Sequence, residues 1–483
     1  MAFNALNAKL TAELPGKVFT SEAAEYKESN KAYFTAFESA LSPAVIVRPS
    51  NVADVSTIVT LAKDLKFPLA IKGAGHTPWA GVANVEGGVT MDMRHLQGIQ
   101  LSADEKTVSV ATGENWGALF KVLEAQGLAT VGGRVSCVGV GGLTLGEINT
   151  RAGGASFFSG RYGFVCDAVR SFEVVLSSGK VVEASASSNP DLFTVLKGGS
   201  NNFGVVTRIV LPVFPQGPMW GGLSFFPGTS VLELLEALVS FASSPDPDED
   251  AHVIVAYSWT ASISIQAAAT CLFHASPKDD KETPKSLEAF TIVAPKLQSS
   301  VRLDSPLAFA DEQGGHVPDG ERVLYFTTTV KPDLQLFTKI KDLYLEALAP
   351  IKEVQNLRFV LHFQPVTAKL LEKSGQAGPN AMGLSPDMGP FVYINVNPMW
   401  TEAEDDDKIT AACEWLIQSI EALAAAEGKG VQWKFMNYCY KTQDPIASYG
   451  KESVAKMKEV SKKYDPAGFF QKQVPGGFKL QRD

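Results

Sequence analysis

The alternation of apolar and polar residues is clearest at residues 44–71, which predict a strand, a helix and a second strand. Residues 45–47 are all β-branched, as strands favour. Asn51 precedes apolar residues at helical spacing, so we expect it to cap a helix. Residues 69–71 form the second strand, and such a unit is expected to be parallel and right-handed.

Short apolar strands and glycine-containing turns continue to about residue 214. Strands are predicted at residues 107–110, 172–176 and 205–213, with one helix near residues 116–126. These elements predict one domain over residues 41–214, preceded by an N-terminal segment at residues 1–40.

The pattern changes after Pro215-Gln216-Gly217-Pro218, where longer amphipathic helices begin to alternate with strands. This arrangement predicts an antiparallel sheet backed by helices, an α+β domain, over residues 215–428, followed by a C-terminal segment at residues 429–483. Helices are predicted at residues 230–243, 334–348 and 408–427, and strands at residues 253–259, 263–272, 323–330, 358–363 and 392–396.

Composition excludes several classes of protein. The 483 residues are 45% hydrophobic and 20% charged, which is ordinary for a folded protein. The net charge of −9 disfavours nucleic acid as a partner. Five cysteines without short spacing, no apolar leader and no stretch long enough to span a membrane favour a soluble, reduced, cytoplasmic protein.

Glycine clusters are the main chemical signal of the first half. They occur at residues 73–75, 132–142 and 198–204, and glycine lets backbone N–H groups approach an anion closely. A Rossmann fingerprint does not fit, because Pro78 stands at its third glycine position. Each cluster alone is typical of a turn, but three in one predicted domain favour a large anionic cofactor.

Together these segments resemble the FAD-linked oxidases with a berberine-bridge-enzyme-like C-terminus, within the vanillyl-alcohol-oxidase superfamily. The segments that carry the resemblance are residues 43–49, Gly73-Ala74-Gly75-His76, Gly132-Gly133-Arg134, residues 138–146, 159–163, 191–193 and 197–207, and near the end Asn437-Tyr438, residues 443–446 and 464–466. The resemblance implies an α+β protein with a two-subdomain, PCMH-type FAD-binding domain and a separate substrate domain.

The resemblance also implies the cofactor and its attachment. It predicts FAD, bonded covalently through His76 to the flavin 8α-methyl carbon. The cofactor-binding residues implied are Lys72, Gly73, Ala74, Gly75, His76, Thr77, Gly81, Gly133, Val138, Gly139, Gly141, Gly142, Thr144, Gly146, Gly204, Val206 and Asn437.

The chain departs from the family pattern in two places. Some members form a second bond through a cysteine three residues before the Val-Gly-Val-Gly-Gly run, and that position is Val135 here. Cys137 is close but out of register, so a single covalent bond is predicted; the alternatives for Cys137 are that it contributes a second bond or that it is a small buried hydrophobe. A polar insert at residues 147–152 separates Gly146 from Gly153-Gly154, whereas relatives lack it.

The resemblance suggests Tyr438, beside Asn437, as the base that takes a substrate proton. A tyrosine needs a neighbouring donor or cation for this work; the alternative is a packed aromatic that only orders the flavin. The substrate pocket is predicted on strands of the second domain at Tyr257, His362, Gln364 and Tyr393, with Trp259 and Asn395 as further candidates, although ordinary sheet packing explains each equally well. No metal site is predicted, because His95, His252, His274 and His316 lack ligand spacing.

The sequence therefore predicts an FAD-dependent oxidase acting on a small hydroxyl- or amine-bearing molecule, such as a secondary metabolite, with hydride transfer to flavin N5 and O2 as re-oxidant. Two alternatives stay open. One is a flavin-containing isomerase or cyclase without net redox change, and the other is a binding protein whose flavin site the insert impairs.

Overall fold

The computed structural model describes residues 2–146, 154–278, 282–315 and 319–480. The insert at residues 147–152 and His316 lie outside the described residues. The elements below are therefore those of the described ranges.

The first subdomain is a small sheet covered by helices. Asn51 caps its long helix as predicted, because its side chain accepts the N–H of Asp54. The elements are α1 (Ala2–Glu13), β1 (Val18–Phe19), α2 (Ala24–Lys31), α3 (Ala36–Ser39), β2 (Val45–Val47), α4 (Val52–Asp64), β3 (Leu69–Lys72) and β4 (Val89–Asp92).

The strand order in this sheet is β1-β2-β4-β3. The two predicted strands β2 and β3 are parallel as expected, but both pair with β4, which lies between them. The first 40 residues are part of this subdomain, since β1 pairs with β2 and Leu6, Leu10 and Leu14 pack in the same core as Val55 and Ile58.

The second subdomain is an antiparallel sheet in the order β5-β6-β10-β8-β9, with β7 added on β10. It contains β5 (Ile99–Leu101), β6 (Thr107–Ala111), α5 (Trp116–Glu124), β7 (Leu128–Thr130), α6 (Val140–Leu145), α7 (Ser159–Tyr162), α8 (Val165–Ala168), β8 (Ser171–Val175), β9 (Val181–Ser185), α9 (Pro190–Leu196) and β10 (Val205–Pro215).

The second domain is built on a large antiparallel sheet in the order β14-β11-β13-β12-β18-β19-β17-β20, with β15 on β11 and β16 on β19. The α+β prediction is thereby confirmed. The elements are β11 (Met219–Pro227), α10 (Val231–Ala242), β12 (Ala251–Thr260), β13 (Ile265–His274), α11 (Glu288–Thr291), β14 (Gln298–Ser299), β15 (Arg302–Asp304), α12 (Pro306–Gly314), β16 (Arg322–Val323), β17 (Phe326–Val330), α13 (Leu334–Leu348), β18 (Arg358–Val366), α14 (Ala368–Gln376), β19 (Phe391–Trp400), α15 (Asp406–Ala426) and β20 (Gly430–Val431).

The two faces of this sheet differ because side chains alternate along each strand. One face packs against α10, α13 and α15, with Phe359, Leu361 and Phe363 of β18 fully buried. The other face carries the intervening residues and borders a cavity.

The last segment contains α16 (Pro445–Ser448), α17 (Lys451–Tyr464) and α18 (Phe469–Lys472) and lies against the first domain. Phe469, Phe470 and Val474 join the core of the first subdomain, and the side-chain amides of Asn201 and Asn202 donate to Gly476 and Phe478. The domain boundaries at residues 40, 214 and 428 stay predictions. Across the described ranges, no helix combines the length and apolar character needed to cross a membrane.

Candidate active site

A cleft opens between the two subdomains of the first domain, where the glycine clusters meet. Gly73 lies in it with open space on the side where a Cβ would stand. The residues that line the cleft are Ile71, Gly73, Met93, Thr112, Gly141, Gly142, Leu145, Asn201, Gly204, Val205 and Val206. Of the predicted cofactor residues, this cleft brings together Gly73, Gly141, Gly142, Gly204 and Val206.

His76 is buried at the end of the first glycine loop. Its ring stacks on Phe34 with the centroids 4.1 Å apart, and its Nε2 lies 3.5 Å from Cys137 Sγ. Thr77, the next residue, is buried as well. The predicted tethering histidine is thus held on one ring face by an aromatic side chain and at one ring nitrogen by a thiol.

Close approach of backbones explains two of the predicted glycines. A Cβ at Gly139 would lie 3.0 Å from the backbone N of Ala74, so the first and second glycine loops are in contact there. Gly75 has φ +74, a left-handed conformation that favours glycine. These positions shape the loops around His76.

Three other predicted cofactor residues have a role within the protein itself, in packing or in forming helix α6. A Cβ at Gly133 would lie 2.6 Å from the Trp116 ring, so this glycine makes room for a buried tryptophan. Thr144 donates its hydroxyl to the carbonyl of Val140 within α6, whose first turn follows the buried Val138 and Gly139. Gly146 ends α6 with φ +79, another conformation that favours glycine.

Lys72 is a correction to the prediction, because its side chain does not line the cleft. Alternation along β3 turns Ile71 toward the cleft and Lys72 away from it. Lys72 Nζ donates to the Ser29 carbonyl at 2.6 Å and lies 3.8 Å from the Asp92 carboxylate, with both side chains fully buried. Burial lowers the pKa of Lys72 to about 7.

Asp92 is held by a second cation as well. Arg94 Nη2 donates to it at 2.6 Å, as does the hydroxyl of Ser29 at 2.6 Å. Burial opposes ionisation of Asp92, but the hydrogen bond from Arg94 and the charge of Lys72 lower its pKa to about 2. This ion cluster secures the strands that lead into the first glycine loop.

Gly81 lies beside a buried carboxylate rather than in the cleft. Glu38 accepts the backbone N–H groups of Gly81, Val82 and Ala83 at 3.1, 3.0 and 2.7 Å. Burial raises the pKa of Glu38 to about 7, although these N–H groups oppose the rise. Glu38 therefore fixes the segment that follows His76.

A cavity of about 180 Å³ lies on the face of the large sheet opposite α10, α13 and α15. Gln364 and His362 of β18 both line it, as their period-2 spacing predicts, and so does Asn395 of β19, the cross-strand partner of His362. The remaining lining residues are Leu223, Phe225, Ile254, Ala256, Ser258, Thr260, Ala269, Cys271, Gln313, Arg358, Val360, Met399 and Tyr438.

Tyr438 forms one end of this cavity and is 1% exposed. It lies with Asn437 in the short helical turn Met436–Tyr438. Its oxygen accepts the Gln364 amide at 3.3 Å and Arg134 Nη2 at 3.4 Å. The hydroxyl of Tyr393 donates to Gln364 Oε1 at 2.9 Å, so Tyr393 orients Gln364.

Arg134 is the functional residue that sequence reasoning passed over, although it stands in a quoted motif. Its Nη2 also donates to Gln364 Oε1 at 2.9 Å, and its Nη1 lies 2.6 Å from His252 Nε2. Burial, reinforced by the charge of Arg134, lowers the pKa of His252 well below its usual range. The sequence signal that could have identified Arg134 is its charge inside an otherwise apolar, glycine-rich motif.

Tyr257 is a second correction, because it lies on the opposite face of the sheet. The cavity is lined by Ile254, Ala256 and Ser258 of β12, so strand alternation turns Tyr257 toward the helices. Its ring lies 5.1 Å from that of Tyr344 in α13. Trp259 points the same way and donates its indole N–H to the carbonyl of Lys352.

Residues 132–138, which we call the linking loop, connect the cleft with the cavity. Arg134 reaches Tyr438 at the cavity, and Cys137 reaches His76 at the cleft. The end of α12 lies alongside, since Gln313 lines the cavity and a Cβ at Gly314 would lie 3.9 Å from Cys137 Sγ. The cavity therefore lies beside the end of the cleft that holds His76.

The cleft fits FAD. Glycines from three loops face it, and the added Cβ at Gly73 would meet no protein atom within 4 Å, which leaves backbone N–H groups accessible to a pyrophosphate. Ser200 Oγ, next to the lining residue Asn201, is buried without a hydrogen-bond partner among the described residues. The residues that would hold FAD are thus the cleft glycines, with His76 at the cavity end.

A separate polar cluster lies outside this site. Asp248, Asp250 and His274 have ligand atoms within 4.8 Å of one another. His274 contacts Asp248 at 3.2 Å and Arg161 pairs with Asp250, so both carboxylates already have protein partners. These contacts account for the cluster.

Fold and site together define a two-domain flavin-dependent oxidoreductase, with a glycine-lined cofactor cleft and a substrate cavity on an antiparallel sheet. A family model described as an FAD binding domain matches residues 43–185. A Fusarium proliferatum protein called FAD-dependent monooxygenase FUP4 is 33% identical over 94% of this chain and 88% of its own length. The chain belongs to the FAD-dependent oxidoreductases with a PCMH-type FAD-binding domain, and it is an enzyme.

Solved structures agree on the fold. Berberine-bridge-enzyme-like 1 from Physcomitrella patens superposes with a TM-score of 0.77 at 18% identity, covering 99% of this chain and 100% of its own. 6-Hydroxy-D-nicotine oxidase from Arthrobacter nicotinovorans gives a TM-score of 0.76 at 19% identity, covering 97% of this chain and 98% of its own. The predicted berberine-bridge-enzyme-like fold is confirmed.

Proposed function

We propose that this enzyme is an oxidase of a small molecule, such as a secondary metabolite, in which the reacting carbon bears a hydroxyl or amine. The observation that carries the proposal is the position of Tyr438, which ends the cavity and accepts hydrogen bonds from Gln364 and Arg134. Bound FAD would supply N5 as the hydride acceptor, and with O2 the overall reaction would convert an alcohol or amine to a carbonyl or imine and hydrogen peroxide.

Tyr438 takes the proton from the substrate hydroxyl or amine. The two N–H donors, one of them a guanidinium, fix the position of its phenol oxygen. Gln364 is itself oriented by Tyr393, so the base has a fixed position at the end of the cavity. General-base catalysis depends on such placement within hydrogen-bond reach of the proton.

His76 is proposed as a single covalent tether to FAD. Imidazole is nucleophilic near neutral pH, and His76 lies at the cavity end of the cleft with its ring plane fixed by Phe34. Val135, at the position of the second tether in some relatives, offers no nucleophile. A covalent link keeps the cofactor in place through turnover.

The test is a screen of alcohols and amines with the purified holoenzyme. The proposal expects hydrogen peroxide equal to product formed and no label from 18O2 in the product. A product that contains 18O, together with a need for an added reductant, would instead establish a monooxygenase, the activity in the name of the Fusarium relative. Product formed without oxygen and without flavin bleaching would establish an isomerase or cyclase.

A further inference from the structure

We infer that the substrate is a largely apolar, ring-sized molecule that donates one hydrogen bond to Asn395 Oδ1, separate from the hydrogen that Tyr438 accepts. This inference rests on the proposed function and adds the class of substrate. The feature that supports it is a buried amide oxygen of a cavity-lining residue, which accepts no hydrogen bond from the described residues.

Asn395 is 2% exposed and lines the cavity, yet its Oδ1 has no hydrogen-bond partner among the described residues. A buried acceptor without a partner is costly, because it loses its hydrogen bonds to water. An O–H or N–H of a bound molecule would supply the missing donor. Asn395 is therefore assigned as a residue that selects for a hydroxyl or amine.

The position of Asn395 places this donor near the proposed base. Asn395 follows Tyr393 by two residues on the same face of β19, and the Tyr393 ring lies 5.9 Å from the ring of Tyr438. His362, directly across from Asn395 in the sheet, lines the cavity as well. Asn395, His362 and Gln364 thus lie toward the Tyr438 end of the cavity, whereas Ser258, Thr260 and Arg358 lie further along the strands.

Most of the remaining wall is apolar, apart from Ser258, Thr260, Gln313 and Arg358. Every second residue of the adjoining strands contributes to it, and the described lining residues include no carboxylate. Arg358 is engaged by Glu321 in an ion pair. A sugar carries hydroxyls on all sides and would leave most of them unpaired against this wall, which is formed by Leu223, Phe225, Ile254, Ala256, Ala269 and Val360.

The cavity volume sets the size of the group that enters. At about 180 Å³ it is slightly larger than a 150 Å³ apolar cavity that binds benzene. One six-membered ring with a small substituent therefore fills it. The apolar character continues at the outer end, where the turn after Thr260 exposes Ile263 and Ile265 to 63% and 45%.

The experiment compares phenol, anisole and glucose as probes of the holoenzyme, using the change in the visible flavin spectrum to measure binding. Phenol and anisole share the ring, but only phenol donates a hydrogen bond, and phenol has no C–H that can leave as hydride beside its oxygen. The inference expects phenol to bind more tightly than anisole or glucose. In Asn395→Leu, phenol should bind about tenfold more weakly, as expected for one lost hydrogen bond, with anisole unchanged.

Asn397→Leu is the matched control. Asn397 lies two residues further along β19, is fully buried and also has an Oδ1 without a partner among the described residues, but it does not line the cavity. It should leave binding of all three probes unchanged. Tighter binding of glucose than phenol, no binding of phenol, or equal loss of phenol and anisole in Asn395→Leu would overturn the inference.

The substrate-class inference and the oxidase proposal can fail independently, because binding tests the first and turnover tests the second. If phenol binds as expected but no alcohol or amine yields hydrogen peroxide, the oxidase proposal fails and the recognition stands. If the enzyme oxidises glucose efficiently, the oxidase proposal stands and the apolar substrate class is wrong.

Discussion

Cys137 Sγ lies 3.5 Å from His76 Nε2, so the thiol beside the second glycine loop contacts the histidine of the first. Residue spacing had placed this cysteine out of register for a flavin bond, and the structure corrects its interpretation as a buried residue, because Cys137 is exposed. The contact makes Cys137 a partner of the tethering side chain, and it allows the single-bond proposal to be tested by substitution at both residues.

We expect His76→Ala to abolish acid-stable flavin and Cys137→Ala to retain it, because the proposed bond forms at the imidazole. Acid precipitation followed by absorbance of the pellet measures this directly. A mass spectrum of the wild-type peptide containing His76 should show one FAD adduct. Acid-stable flavin that survives in His76→Ala and disappears in Cys137→Ala would move the tether to the thiol.

Replacing the proposed base should slow chemistry without removing the cofactor. Tyr438→Phe is expected to lower kcat by about 100- to 10,000-fold, the usual range for loss of a general base, with the flavin spectrum retained. Tyr440→Phe is the control, since Tyr440 packs against Phe326 and does not line the cavity. Equal kcat values for the two variants would show that Tyr438 is a packing residue and not the base.

Arg134 is expected to act through Tyr438 and Gln364, as a positioning residue. Arg134→Met should lower kcat at least about tenfold, because Tyr438 and Gln364 both lose a hydrogen-bond donor. Arg134→Lys should restore the charge but not the paired hydrogen bonds, so it should recover only part of kcat. A purely structural role would lower stability without a selective loss of kcat, and Arg208→Met on β10 serves as the control.

The buried ions beneath the first glycine loop should dominate local stability. Asp92→Asn leaves Lys72 and Arg94 without their carboxylate and is expected to cost about 3–5 kcal/mol in the free energy of unfolding. Asp104→Asn, in an exposed pair with Lys106, should cost less than about 1 kcal/mol. Urea unfolding of both variants compares them, and similar losses would show that the cluster is not stabilising.

Glu38 predicts a pH dependence of stability. Its pKa in the folded chain is about 7, above the ordinary glutamate value of 4.5, so the folded state binds more protons between these values. Stability from this group is therefore full below pH 4.5 and falls as pH rises to about 7. Glu38→Gln should flatten the slope of melting temperature against pH in this interval, and an unchanged slope would contradict the assignment.

Local patterns predicted the elements well, but not their neighbours in space. The helix capped by Asn51 and the strand bearing His362 and Gln364 follow from spacing along the chain. The insertion of β4 between β2 and β3 depends on pairing between distant segments, which no local pattern encodes.

The site shows the same division between local and distant information. Period-2 spacing puts Tyr257 and Trp259 on one face of β12, but only the packed helices decide which face borders the cavity. Likewise, Lys72 stands in the family motif, yet strand alternation and the buried Asp92 carry its side chain away from the cleft. Arg134 became a candidate only when folding brought it to Gln364 and Tyr438.

The linking loop and the strand-lined wall have opposite consequences for protein engineering. A library at Ile254, Ala256 and Ser258 samples new substrates while the helix-facing core stays untouched, because neighbouring residues point to separate faces. Substitutions in the linking loop would disturb both sites at once, since its residues contact both His76 and Tyr438. Directed evolution of this enzyme should therefore randomise the strands and leave the loop fixed.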